Sequence, residues 1–181
     1  MTRLILCRHA AEGNAGESRA LAAALAAVSL DAVYTSPLPR ARITAEAIAA
    51  QHALAPIEVS ELREIELGAV EGLSFDEYPA ELQAELVNRP MSVRFPGGET
   101  YEELQERVSG ALDEIVRAHS DGTVAAVSHT GPIRAALAGW LGIADEAVFR
   151  IDQRTGAVNV VDWVERTPLI RLVNRTGPVG P

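Results

Sequence analysis

Short apolar runs alternate along the chain with longer segments in which apolar residues recur at helical spacing. The short runs have the length and composition of buried strands, and the longer segments have the period of helices with one buried face. Predicted strands cover residues 4–7, 31–35, 57–59, 123–127, 158–164 and 169–173. Predicted helices cover residues 19–28, 40–52, 99–119 and 133–141, with a weaker helix at 75–88.

Strands and helices alternate through most of the chain, which predicts an α/β fold with a mostly parallel sheet and helices on both faces. The last two strands close the sheet and lie partly at its edge. Residues 62–98 are irregular and rich in Gly and Pro. The length of 181 residues favours one domain, so we expect a single domain over residues 1–181 with a small cap at about 65–98.

Composition narrows the functions that such a fold can have. Hydrophobic residues make up 48% and charged residues 23%, as in soluble globular proteins, and no apolar run reaches the length of a membrane helix. Lys is absent and all 16 basic residues are Arg, which excludes a Schiff-base lysine, a pyridoxal-phosphate anchor and a P-loop lysine.

Charge and cysteine content bear on partners and compartment. The net charge of −9, without any basic cluster, argues against a nucleic-acid partner. Cys7 is the single cysteine, which fits a reducing compartment. The stretch at the start of the chain is too short, and reaches charged residues too early, for a signal peptide. We therefore expect a cytoplasmic protein with no membrane partner.

Polar side chains with a shared chemistry follow the predicted strands. His9 and His129 each end an apolar strand, and ligands of parallel sheets bind outside the carboxyl ends of the strands. Arg8, Arg40 and Glu64 also follow strands, so the inferred crevice holds two imidazoles, guanidinium groups and a carboxylate. Arg binds phosphate oxygens in bidentate fashion, and a neutral imidazole can act as nucleophile near pH 7. This set indicates phosphoryl transfer without a metal or other cofactor, because the His and carboxylate positions show no metal-ligand spacing.

Five segments, in order, resemble the signature of the histidine phosphatase superfamily, the phosphoglycerate-mutase-like proteins. The ordered set spans nearly the whole chain and is far more specific than an isolated Arg-His pair. The segments are Leu-Cys-Arg-His-Ala at 6–10, Thr-Ser-Pro-Leu-Pro-Arg-Ala at 35–41, Leu-Arg-Glu-Ile-Glu-Leu-Gly at 62–68, Pro-Gly-Gly-Glu-Thr at 96–100 and Val-Ser-His-Thr-Gly-Pro-Ile-Arg at 127–134.

The resemblance implies a three-layer α/β/α sandwich and a role for each matching residue. His9 would become phosphohistidine, Glu64 would be the proton donor, and His129 would stabilise the transferring phosphoryl group. The implied phosphate-binding residues are Arg8 and Arg40, with Asn14 and Thr130 as further candidates. The implied reaction is hydrolysis of a small phosphomonoester, such as a sugar phosphate, a phosphoglycerate-type acid or α-ribazole phosphate.

Alternatives remain open at this point. The same fold could carry a phosphoglycerate mutase. However, the stretch between the segment at 62–68 that carries Glu64, here called the acid segment, and Pro96 is short for one. Ala10 replaces the Gly usual after Arg-His, and the following loop is shortened, which allows a non-catalytic phospho-ligand or protein-binding module. A small cap would also admit a phosphohistidine-protein substrate. The edge strand near the C-terminus offers an interface for a homodimer.

Overall fold

The computed structural model describes residues 1–179, apart from the side chains of residues 145 and 146. Six strands and five α-helices make up the regular structure of this part of the chain. The strands are β1 (Thr2–Arg8), β2 (Ala32–Thr35), β3 (Pro56–Glu58), β4 (Thr123–Ser128), β5 (Val158–Val164) and β6 (Thr167–Arg175). The helices are α1 (Ala15–Leu25), α2 (Pro39–Gln51), α3 (Ala80–Asn88), α4 (Tyr101–Ala118) and α5 (Thr130–Leu141).

The strands form one sheet in the order β3-β2-β4-β1-β5-β6. β1, β2, β3 and β4 run parallel, and β5 and β6 continue the sheet in antiparallel orientation. β1 therefore lies inside the sheet next to β4, and β6 forms one edge. The sheet confirms the predicted α/β class and its mostly parallel order.

Alternate side chains of β1 enter two separate cores, because successive residues of a strand point to opposite faces. Leu4 and Leu6 pack with residues of α4 and α5, whereas Ile5 and Cys7 pack with residues of α1 and α2. The result is the expected sandwich of helices, sheet and helices. Cys7 is fully buried there, and burial raises the pKa of its thiol to about 12.

Several predicted element boundaries were wrong. Helix α1 begins at Ala15 rather than Arg19, because the side-chain oxygen of Asn14 accepts a hydrogen bond from the N–H of Glu17 and caps the helix. Helix α2 begins at Pro39 rather than Arg40, because proline suits the first turn of a helix, and its N-cap is Leu38.

The segment between β3 and α4 consists mainly of turns around α3. The predicted helix at 75–88 is divided into a 3-10 turn, Phe75–Glu77, and helix α3, because Pro79 lies between them. Leu82 and Phe95 of this segment belong to the core on the α4 side of the sheet, so the segment packs against α4 on that face. None of the helices in the described part of the chain is long and apolar enough to cross a membrane.

Candidate active site

The two histidines meet because β1 and β4 are parallel neighbours. Arg8 pairs in register with Ser128, so the residues that follow them, His9 and His129, leave the sheet side by side. The centroids of their rings lie 4.9 Å apart, and the ring planes are inclined by 58°. Residues 120 positions apart in sequence thus form one centre at the carboxyl edge of the sheet.

The hydrogen bonds of His9 determine which ring nitrogen carries the proton. Nδ1 lies 2.7 Å from the carbonyl oxygen of Ala10, which can only accept, so Nδ1 donates. Nε2 therefore carries the lone pair, and it accepts a hydrogen bond of 3.3 Å from Nε of Arg40. Burial lowers the pKa of His9, and the charges of Arg40 and Arg8 add to this effect. The imidazole is therefore neutral near pH 7, with Nε2 available as a nucleophile.

His129 is completely buried and is held by Ser36. The hydroxyl oxygen of Ser36 accepts from the N–H of Leu38, and the hydroxyl lies 2.7 Å from Nε2 of His129. The hydroxyl hydrogen of Ser36 has no other acceptor among the described residues, so it donates to Nε2, which places the proton of neutral His129 on Nδ1. Nδ1 is buried and has no hydrogen-bond partner within the described residues. Burial lowers the pKa of His129 to about 2, with further contributions from His9 and the nearby Arg residues.

Arg8 and Arg40 bring positive charge to the two rings. One terminal nitrogen of Arg8 donates to the carbonyl of Gln153, and its Nε is buried without a partner among residues 1–179. Arg40 lies in the first turn of α2, where the free N–H groups of the helix also favour an anion. Two unpaired buried donors, on Arg8 and His129, thus lie in a positively charged environment, which is the requirement for binding an oxyanion.

Glu64 is held by backbone donors from two segments. Its Oε1 accepts hydrogen bonds of 3.0 Å from the N–H groups of Ile65 and Gly131. Burial raises the pKa of Glu64, although these two donors and the charges of Arg40 and Arg8 oppose the shift. Gly131 leaves room for the carboxyl in this position, because a Cβ at residue 131 would overlap Oε1 and the carboxyl would have to shift. A buried carboxyl with a raised pKa suits a general acid.

The segment that carries Glu64 is fixed by an ion pair. Arg107 of α4 bonds both carboxylate oxygens of Glu99, at 2.9 and 2.5 Å, and donates to the carbonyl oxygens of Glu61, Arg63 and Glu64. Glu99 in turn accepts from the N–H of Glu66 at 3.0 Å. Both side chains of the pair are largely buried, so the pair acts as a clamp on residues 61–66.

The remaining predicted site residues have other surroundings. Asn14 is exposed and uses its side-chain oxygen to cap α1, and Thr130 is a half-buried residue at the start of α5. Their contact with phosphate stays a prediction. Ala10 is not among the residues with positive φ, so replacing the family's usual Gly causes no backbone strain there. Its N–H donates to the hydroxyl of Thr44.

Ser36, Gly131 and Arg107 were missed as site residues by the sequence analysis. Ser36 and Gly131 lie inside segments that were recognised, but their contacts with His129 and Glu64 depend on the packing of distant segments. Arg107 is one of several polar residues on a long amphipathic helix, and the sequence shows no signal that separates it from the others. Groups of three or more His, Cys, Asp or Glu residues that could hold a metal ion do not occur among the described residues.

Comparison with known proteins identifies the family of the chain. The sequence profile of the histidine phosphatase superfamily (branch 1) matches residues 11–176. Phosphoserine phosphatase 1 of Hydrogenobacter thermophilus is 31% identical over 202 aligned residues, which cover 99% of this chain and 95% of that protein. The bifunctional protein Rv2228c of Mycobacterium tuberculosis is 34% identical over 150 residues, covering 81% of this chain but only 41% of the relative.

A solved structure supports the fold independently. Phosphoserine phosphatase of Entamoeba histolytica, in complex with 3-phosphoglyceric acid, superposes with a TM-score of 0.88 at 20% identity and covers 97% of this chain and 98% of that one. The chain belongs to the histidine phosphatase superfamily, as the five sequence segments indicated. It is a phosphatase of that superfamily, with the superfamily's mostly parallel α/β sandwich.

Proposed function

We propose that the chain hydrolyses phosphomonoesters without a metal, through a phosphohistidine formed at Nε2 of His9. The observation that carries this proposal is the state of His9: a neutral ring with its proton on Nδ1 and its Nε2 lone pair facing Arg40. The phosphoryl oxygens would take the donors of Arg40 and Arg8, together with Nδ1–H of His129. These groups supply fixed positive charge where negative charge develops during transfer.

Glu64 has a role in both halves of the proposed reaction. In the first half, Nε2 of His9 bonds to phosphorus, the ester P–O bond breaks, and protonated Glu64 gives its proton to the leaving alkoxide. In the second half, Glu64 takes a proton from water as the oxygen of that water bonds to phosphorus and the P–N bond breaks. Inorganic phosphate leaves, and His9 and Glu64 return to their starting states.

The substrate we propose is a small phosphorylated metabolite: a sugar phosphate, a phosphoglycerate-type acid or α-ribazole phosphate. The Hydrogenobacter relative is named for phosphoserine, and the Entamoeba structure contains 3-phosphoglyceric acid. The cap at about 65–98 belongs to the single domain and would shape the leaving-group side of the site. Cys7 is free and buried, which suits the reducing cytoplasm that we propose as its compartment.

A panel of metabolite phosphomonoesters, assayed in the presence of chelator, tests the proposal. Wild type is expected to release phosphate from at least one ester, and His9→Ala is expected to release none. Activity that requires a divalent cation, or that survives His9→Ala, would contradict the proposed mechanism. Binding of esters without any turnover would favour the non-catalytic module. Supplying a bisphosphorylated sugar acid separates the mutase, because a mutase would yield isomerised product rather than phosphate.

A further inference from the structure

An apolar cavity of about 460 Å³ lies beside the acid segment. Its walls come from the cap, from the first turn of α4 and from the 3-10 turn Asp145–Arg150. Aromatic rings support one another there: Tyr101 and Phe149 are in edge-to-face contact at 4.9 Å, and Tyr78 meets Phe95 at 6.3 Å. The cavity has the size and apolar lining of a pocket for a small ligand.

The cavity shares part of its wall with the surroundings of Glu64. Ile65 lines the cavity, and its backbone N–H donates to Oε1 of Glu64. Tyr101 also lines it and is buried against the same region: burial raises the pKa of its hydroxyl, and the charge of Glu64 contributes to that shift. A leaving group protonated by Glu64 therefore departs next to this cavity.

Apolar side chains at the cavity are exposed to water. Phe75, Val87 and Phe149 have exposed fractions of 46%, 68% and 41%, respectively. Exposed apolar residues that cluster at a concave surface mark a binding site. The described residues that line the cavity include none with a charge. The guanidinium of Arg134 is close enough to the hydroxyl of Tyr101 to oppose the rise in its pKa, but a carboxylate buried among the other lining residues would lose its hydration without an adjacent counter-ion.

We propose that this cavity binds the leaving group of the substrate, and that the enzyme favours phosphomonoesters with an aromatic or aliphatic leaving group over those with a carboxylate. The inference rests on the proposed function, because it assigns the cavity to the alcohol that Glu64 protonates. It also separates this chain from the relative named for phosphoserine, whose substrate carries a carboxylate and an ammonium group.

Three alkyl esters test this selectivity, since their leaving alcohols all need a proton. We would compare kcat/KM for 2-phenylethyl phosphate, 3-phosphoglycerate and phosphoserine. Burying the phenyl group is expected to favour 2-phenylethyl phosphate by about tenfold or more. Val87→Arg, an exposed change at the rim of the cavity, should shift the ratio toward 3-phosphoglycerate by about tenfold, because it supplies a cation. Leu141→Arg, which is also an exposed change but lies on α5 outside the cavity lining, is the matched control and should leave the ratio unchanged.

The outcomes separate the two proposals. Hydrolysis that favours 3-phosphoglycerate or phosphoserine in wild type would overturn the assignment of the cavity while leaving the phosphatase proposal intact. Equal changes of the ratio in Val87→Arg and Leu141→Arg would also overturn it. Absence of hydrolysis with every ester, including activated aryl esters, would contradict the proposed function itself. Circular dichroism of both variants verifies that they are folded.

Discussion

At the scale of single residues, the proposed chemistry depends on two shifted pKa values. Burial and neighbouring Arg residues lower the pKa of His9 below its ordinary 6.5, so the neutral nucleophile persists into mildly acidic solution. Burial raises the pKa of Glu64 above its ordinary 4.5, so the protonated acid persists toward neutral pH. The two shifts widen the pH range in which nucleophile and acid are both in the required state.

The pH profile of kcat/KM tests this assignment. For an alkyl ester we expect kcat/KM to be highest on the acidic side of neutrality. It should fall at low pH because His9 gains a proton, and at higher pH because Glu64 loses one. Glu64→Gln should remove the loss at higher pH along with most of the activity. An activated aryl ester, which needs no acid, serves as control for ionisation of the phosphate itself. A loss at higher pH that is unchanged in Glu64→Gln would assign it to another group.

Gly131 is the position where a single methyl group should disturb the acid. A Cβ there would overlap Oε1 of Glu64, and the carboxyl would have to move. We expect Gly131→Ala to lower kcat/KM for alkyl esters by about a hundredfold, within the usual contribution of a general acid, and to affect aryl esters much less. Gly110→Ala is the matched control, because a Cβ at Gly110 meets open space in helix α4. Equal loss with both ester types would argue against Glu64 as the acid.

At the scale of secondary-structure elements, the acid segment has little regular structure and depends on α4 for its position. Arg107 bonds four groups that fix this segment: the carboxylate of Glu99 and the carbonyl oxygens of Glu61, Arg63 and Glu64. Removing one partner of a largely buried pair leaves the other charge uncompensated. The clamp therefore links the stability of this element to the position of the acid.

Arg107→Met is expected to lower the free energy of unfolding by about 3 kcal/mol. It should also make kcat/KM fall more steeply as the leaving group becomes poorer, because Glu64 is no longer held in place. Arg63→Met is the control, since Arg63 pairs with Glu66 at a more exposed position of the same segment and should cost less than about 1 kcal/mol. Urea denaturation and a series of esters measure the two effects. Lost stability with an unchanged leaving-group dependence would limit Arg107 to a structural role.

The sequence predicted most elements but not the contacts between them. Strands β1, β2 and β4 followed from their apolar runs, and the placement of His9 and His129 followed from the parallel order of the strands. Boundaries set by side chains were missed: Asn14 extends α1, and Pro79 divides the helix predicted in the cap. These depend on local hydrogen bonds and sterics that periodicity does not contain.

The part of the site that could not be predicted consists of contacts between segments distant in sequence. Ser36 holds His129 across 93 residues, and Gly131 holds Glu64 across 67 residues. A serine or a glycine in the sequence is compatible with many structural roles. The contacts of Ser36 and Gly131 therefore become visible only in the folded structure. The apolar cavity is a similar case, because its lining combines the cap with Tyr101 and Phe149.

At the scale of the whole molecule, the site has consequences for stability. His129 is neutral in the folded state because burial lowers its pKa to about 2, whereas the unfolded chain binds a proton near pH 6.5. Below pH 6.5 the unfolded state therefore binds more protons, and stability falls as the pH falls. His9 adds to this effect in the same direction.

We expect His129 to lower the free energy of unfolding by about 1 kcal/mol between pH 7.5 and 5.5, and His9 to lower it further in the same direction. His129→Asn should remove its share of the pH dependence, whatever its effect on stability at pH 7.5. Urea denaturation at the two pH values, for wild type and variant, measures the difference. An unchanged dependence in His129→Asn would mean that His129 is protonated in the folded protein.

Dimerisation through the β6 edge stays a prediction, to be examined by sedimentation.

The most direct test of the central claim is to trap the phosphoryl group on the protein. Glu64→Gln mixed with a labelled aryl phosphate should form the intermediate without needing an acid, but should hydrolyse it slowly because the base for water is missing. After quenching in alkali, we expect up to one phosphoryl group per chain, stable to base and labile to acid, on the peptide that contains His9, and none in the Glu64→Gln/His9→Ala variant. Label on another residue, or label that survives loss of His9, would contradict the account.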